Sequence, residues 1–295
     1  MSDTASSVMP ASATCHWCGR TFPGDQLSCP ACGAGSAATP RRTEHGWVEL
    51  PPIRDMARIH FGNSTCQIEG DVTPVADMNL AAGDGVYFMH HAMLWRDPAV
   101  ATSLVSLRTG FKRLLGGMPL FMMQANGPGR IAFSGLHAGE LFAVPLHAGQ
   151  AIEVREHTLL VADSSVQYDF FDPGIWYVSG AGNDRKTHFP VGMFMDRYTA
   201  SDRPGVVLLH ARGDVFVRDL AAGESLLVQP GSLIYKSLSV GMRLHIEEPQ
   251  QGGWTAFFSS WRHRFLFLHL TGPGRVAVHS VFDQLPDLGA MGSHS

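Results

Sequence analysis

Short runs in which apolar and polar residues alternate occupy much of the chain, and glycine or proline closes most of them. Alternation with a period of two marks strands that bury one face. The tetrad Leu-x-Ala-Gly occurs three times, at Leu80–Gly83, Leu146–Gly149 and Leu220–Gly223, offset by 66 and then 74 residues. Past each glycine the copies stay in step. Val86, Ile152 and Leu226 correspond, as do Phe88, Val154 and Val228, and then Met93, Leu159 and Leu233. Each copy therefore predicts a strand, a bend and another strand, with Phe88, Val154 and Val228 buried at matching places. A second landmark recurs as Pro128-Gly129, Pro204-Gly205 and Pro273-Gly274, followed by the apolar pairs Ile131/Phe133, Val207/Leu209 and Val276/Val278. Gly127-Pro-Gly-Arg130 reads as a hairpin turn rather than a phosphate cradle, because proline removes an amide donor.

A period of about 70 residues is too long for a solenoid of 20–50 residues. The pattern predicts an all-β body over residues 51–285, built from three small domains at approximately 58–125, 126–200 and 201–285. One stretch reads as a helix. Val100, Leu104, Leu107, Phe111 and Leu114 follow helical spacing, with Asp97-Pro98 as a start and Gly116-Gly117 as a stop.

Composition removes whole classes of function. Of 295 residues, 45% are hydrophobic and 16% charged, enough apolar content for a real core and too much for a disordered chain. The formal net charge of −4, with lysine only at 112, 186 and 236, offers no basic stripe for nucleic acid or an anionic membrane. No apolar run approaches the ~20 residues of a membrane span, and no signal peptide is visible, so the expected compartment is the cytoplasm.

Four of the five cysteines change the picture at the N-terminus. They form Cys15-x2-Cys18-x10-Cys29-x2-Cys32, each pair followed by a glycine. Two tight Cys-x-x-Cys turns bring four thiolates to one point, the chemistry of a structural zinc site. A disulfide framework would need an oxidising compartment, and a redox pair would stand alone beside a βαβ pattern. Residues 1–35 thus read as a zinc ribbon, similar to the short ribbons at the termini of many bacterial proteins. So small a segment folds on its metal. Residues 36–50, continuing a small-residue stretch from Gly33 to Pro40, read as a linker. The ribbon region carries no net charge. Trp17, inside the first knuckle, is either an exposed anchor for a partner or a lid on the metal. Cys66 stands apart and reads as a small core residue.

The run Phe111-Lys-Arg-Leu-Leu-Gly116, then Leu120-Phe-Met, then Gly127-Pro-Gly-Arg-Ile131, with Gly272-Pro-Gly-Arg-Val276 near the end, resembles the mitochondrial biogenesis protein 24 (altered inheritance of mitochondria) family. The resemblance covers roughly Arg58 to Asp283. It implies three tandem short double-stranded β-helix domains similar in fold to the tryptophan RNA-binding attenuation protein, and trimers that close into rings of nine such domains. The ribbon is an addition that only some members carry.

A double-stranded β-helix also invites a cupin-like metal enzyme. Adjacent His90 and His91 would face opposite sides of a strand and could not share an ion. His157 aligns with His91, and a histidine at repeat-equivalent positions more often marks a turn or a subunit contact than a catalytic site. No nucleophile elbow, Walker loop or dinucleotide fingerprint is present. The expected function is a non-enzymatic homotrimeric scaffold or assembly module with one structural zinc ion, the ribbon meeting an unidentified protein partner. A cupin-like enzyme and a nucleic-acid-binding ring are the alternatives. Trp254 and Trp261, in an aromatic crowd with Phe257, Phe258, Phe265 and Phe267, are expected at the subunit contact, where tryptophan is enriched.

Overall fold

A computed structural model describes residues 12–36, 41–50, 57–105, 122–135, 137–179, 185–247 and 265–281. Strands dominate, and among the described residues no helix is long or apolar enough to cross a membrane. The ribbon holds β1 (Ser12–Thr14) and β2 (Thr21–Pro23). A hairpin of β3 (Arg41–Arg42) and β4 (Val48–Glu49) lies in the stretch expected to be linker. Next come β5 (Ala57–Phe61) and β6 (Ser64–Glu69), whose alternating burial matches their alternating sequence.

Three six-strand repeats follow. The first is β7 (Val75–Leu80), β8 (Gly85–Met89), β9 (Met93–Arg96), β10 (Ala101–Leu104), β11 (Met122–Asn126) and β12 (Gly129–Ser134). The second is β13 (Leu141–Leu146), β14 (Gln150–Arg155), β15 (Leu159–Asp163), β16 (Val166–Phe171), an inserted hairpin of β17 (Tyr177–Ser179) and β18 (Lys186–His188), then β19 (Met195–Ala200) and β20 (Gly205–His210). The third is β21 (Val215–Leu220), β22 (Ser225–Val228), β23 (Leu233–Ser237), β24 (Gly241–Glu247), β25 (Phe265–Thr271) and β26 (Gly274–His279). In every copy the sixth strand pairs with the first and third, and the fifth with the second and fourth. Each third strand carries the same bulge, at Leu94, Leu160 and Ile234. Phe88, Val154 and Val228 are all buried, as the repeat predicts.

Pairing corrects three expectations. The Pro-Gly landmark is not a hairpin turn: β11 and β12, like β25 and β26, lie in different sheets, and the chain bends from one to the other. The strand after each Pro-Gly consequently belongs with the preceding repeat, which moves the boundaries read at 126 and 201. Finally, the start of the expected helix is strand β10. Val100 is buried and Leu104 exposed; the remainder of that stretch, 106–121, lies outside the described residues. Tertiary contact explains why Val100 belongs under a sheet. A Cβ on Gly129 would meet its Cγ2 at 2.8 Å, and Gly205 and Gly274 stand in the same relation to Val166 (2.5 Å) and Val240 (2.9 Å). The landmark glycine is there so that a valine can close against the backbone.

The chain forms two compact units: Met1–Gln150 with Leu159–Gln167 and Ala200–Asp214, and Ala151–Thr158 with Tyr168–Thr199 and Val215–Ser295. The first holds the sheet β10-β11-β8-β15-β20-β13, the sheet β5-β6-β7-β12-β9, and a core centred on Phe88, Phe133, Met78 and Leu208. Phe88 and Phe133 touch with ring centroids 4.7 Å apart. The second holds the run β16-β19-β14-β23-β26-β21, the sheet β22-β25-β24, and a core of Met195, Leu233, Leu268 and Val276 among others.

Candidate metal centre

The ribbon's two knuckles are built alike. Cys15 N–H donates to the Arg20 carbonyl at 2.8 Å, and Gly19 N–H to the Cys15 carbonyl at 2.9 Å. In the second, Cys29 N–H donates to Ala34 and Gly33 N–H to Cys29, both at 2.8 Å. Gly19 and Gly33 turn the chain with φ of 72° and 76°, where a side chain would be strained. The four sulfur atoms lie within 4.8 Å of one another, with Cys15–Cys32 at 3.6 Å and Cys18–Cys29 at 3.7 Å. A tetrahedron of sulfurs about 2.3 Å from a central ion has edges of about 3.8 Å, so the spacing fits a four-thiolate metal site. All five cysteines are free thiols.

The electrostatics point the same way. Hydrogen bonding from Cys18, and then from Cys29 and Cys32, holds the Cys15 thiol far below its ordinary pKa. Cys32 is pushed far up, chiefly by its hydrogen bond with Cys15. Cys18 is likewise pushed far up by its hydrogen bond with Cys15, whereas Cys29 is lowered to about 7. Without a cation the cluster thus resists holding all four sulfurs as thiolates, and a divalent ion removes that conflict.

Hydrophobic cover surrounds the site. Trp17 is buried, with Phe22, Ala31 and Ala34, against Val48, Leu50 and Ala143 of β13. The structure so decides between the two readings of Trp17 in favour of the lid. A crevice of about 30 Å³ remains beside Cys32, between Trp17, Leu50 and Leu141–Ala143. The Pro30 carbonyl accepts the His60 N–H of β5 at 2.7 Å. Gly33–Ser36, read as the start of a flexible stretch, instead belong to the ribbon: Ser36 N–H donates to the Leu27 carbonyl at 2.9 Å. Nothing local in the sequence marks Leu50 or Ala143 as ribbon neighbours.

The other predicted positions do not join this site. Trp254 and Trp261 lie outside the described residues, with Phe257 and Phe258. His90 and His91 sit in a 3-10 turn at 90–92, not on a strand. His157 occupies a turn with φ of 65°. Among the described residues the four cysteines form the one group of three or more His, Cys, Asp or Glu side chains placed to hold a metal ion. Cys66 is fully buried, and burial raises its thiol pKa well above the usual value.

Comparison with known proteins follows the body rather than the ribbon. No curated protein matches the chain. The X-ray crystal structure of protein SPYM3_0169 from Streptococcus pyogenes is similar in fold, with a TM-score of 0.54 and 16% identity over 74% of this chain and 94% of that one. The model of the mitochondrial biogenesis AIM24 family matches residues 66–281, which takes in all three repeats. With most of its length matched, the chain belongs to the mitochondrial biogenesis AIM24 family.

Proposed function

We propose that the protein is a non-enzymatic assembly module, a homotrimeric ring whose N-terminal ribbon is folded around zinc. One observation supports the oligomeric part. In the sheet β10-β11-β8-β15-β20-β13, three strands come from the first repeat and three from the second; β16-β19-β14-β23-β26-β21 joins the second repeat to the third in the same way. The same three-strand halves at the two ends of the series, β7-β12-β9 and β22-β25-β24, each end on an open strand among the described residues. Open strand edges seek partners, and a head-to-tail contact that closes makes a ring. Three chains per ring is what the family resemblance implies, with Trp254 and Trp261 at the contact. Light scattering at micromolar concentration tests this. The expected species is roughly 96 kDa, three times the 32.0 kDa chain, and a 32 kDa species would refute it.

Zinc is the ion of choice for four convergent thiolates kept reduced in a cytoplasmic setting. Metal analysis of the purified chain should return one zinc per protomer. Since Trp17 is buried, partner recognition falls to the outer side of the ribbon, where Leu27 is 86% exposed. Pull-downs with and without residues 1–40 test that role.

A further inference from the structure

The two junctions between repeats use one register. Where β8 meets β15, Val86, Tyr87 and Phe88 stand opposite Asp163, Ala162 and Val161. Where β14 meets β23, Ile152, Glu153 and Val154 stand opposite Ser237, Lys236 and Tyr235. Under the repeat offsets these are the same three pairs. The second strand of the last repeat, β22, and the third strand of the first, β9, are the corresponding elements that end their sheets among the described residues.

Burial shows what those ends lack. Trp95 of β9 is 51% exposed, whereas its equivalents at the formed junctions, Val161 and Tyr235, are 0% and 6% exposed. Leu227 of β22 is 41% exposed, against 8% and 5% for its equivalents Tyr87 and Glu153. Leu94 is likewise exposed where Leu160 and Ile234 are buried. A position that is covered twice in one chain and presents a large apolar side chain to solvent the third time is half of an interface.

We infer that β22 of one chain adds to β9 of another copy as an antiparallel pair, with Leu226 opposite Asp97, Leu227 opposite Arg96 and Val228 opposite Trp95 of the partner copy. This rests on the oligomeric reading above and specifies its contact. The pairing extends β24-β25-β22 into β9-β12-β7, a third sheet of the kind each chain already contains twice. It covers Trp95 and Leu94 and removes both open edges. The contact is heterologous, so each chain uses both edges and assembly proceeds in one direction around a closed ring.

The pair Leu227–Arg96 makes the register testable by charge. Leu227→Lys sets like charges directly opposite, which opposes pairing. Arg96→Glu in the same chain restores an opposite-charge pair, as Glu153 and Lys236 form at the second junction. In light scattering across a dilution series, Leu227→Lys should dissociate at concentrations on the order of tenfold higher than the unaltered chain, and the double variant should return toward it. Independently, a chain carrying Arg96→Cys with Leu227→Cys should form inter-chain disulfides on mild oxidation, and neither single variant should. If the unaltered chain is a 32 kDa monomer, the ring and the pairing both fail. An oligomer that is indifferent to Leu227→Lys and forms no cross-link would overturn the pairing while leaving the ring.

Discussion

The two junctions share a backbone and differ in chemistry. At the first, the central pair is Tyr87 with Ala162, flanked by Phe88 with Val161. At the second the same place holds a buried ion cluster. Lys236 Nζ meets Glu153 Oε2 at 2.5 Å and donates to the Val240 carbonyl at 2.8 Å, while Arg197 donates to Glu153 Oε1 at 2.6 Å. Arg197 also stacks on Phe171, 4.6 Å from the ring centroid. One register accommodates both, so the ladder and the shared bulge define the junction. Side chains decide what perturbs it. The first junction has no ion pair in its register, whereas the buried ion pair of the second holds only while every partner is present.

The largest expected effect comes from breaking that cluster. Glu153→Ala strands the Lys236 ammonium in the interior and should cost about 3–5 kcal/mol in urea unfolding. Tyr87→Phe at the equivalent place should cost no more than about 1.5 kcal/mol. Equal losses would erase the contrast between the junctions.

Alkaline pH offers the next test. Burial pushes the Tyr235 phenol up to about 12, and its counterpart in the first junction is Val161, which cannot ionise. A phenol whose folded pKa is raised contributes its full stability below the unfolded value near 10 and loses it as pH climbs from 10 to 12. The loss should be about 3 kcal/mol across that window, and Tyr235→Phe should flatten it. A chain whose alkaline stability profile is unchanged by Tyr235→Phe would place the loss elsewhere.

Converting one junction into the likeness of the other should have a smaller effect. Glu153→Leu combined with Lys236→Met replaces the ion pair by apolar contact, and stability should return to within about 1 kcal/mol of the original or exceed it. A deficit as large as that of Glu153→Ala alone would show that the charges hold the register.

Smallest of all should be the effect of the ribbon on either junction, since its apolar neighbours are Val48, Leu50 and Ala143 rather than junction residues. Cys29→Ser should release the metal and unfold the ribbon, leaving the main thermal transition within a few degrees, roughly the shift that 1 kcal/mol produces. A fall of 10 °C or more would make the ribbon part of the body's core.

Legibility in the sequence followed the range of the interaction. Cysteine spacing announced the four-sulfur cluster because two knuckles are local structures, closed by hydrogen bonds five residues apart or fewer. The repeats were visible because Leu-x-Ala-Gly and Pro-Gly sit at bends that each copy needs. The helix misreading at Val100 and Leu104 has a plain cause. Val100 is buried in the bend before β10 and Leu104 is exposed on the strand, so their four-residue spacing marks no shared face, and only Gly129, 29 residues on, shows what Val100 packs against. Likewise Trp17's burial depends on Ala143, far along the chain.

Residue order alone was enough for the all-β class, the threefold repeat, the convergence of four cysteines and the family, since each is written in local pattern. Which strands pair was decided in three dimensions. Sixth strand with first and third, and second strand with the third of the next repeat, are long-range contacts on which period-two alternation is silent, because alternation names a buried face and never the neighbour. Among the described residues, the open edges at β9 and β22 emerge from that pairing. Leu94, Trp95 and Leu227 look like ordinary strand residues until their equivalents are seen buried, because exposure is a property of the assembled sheet.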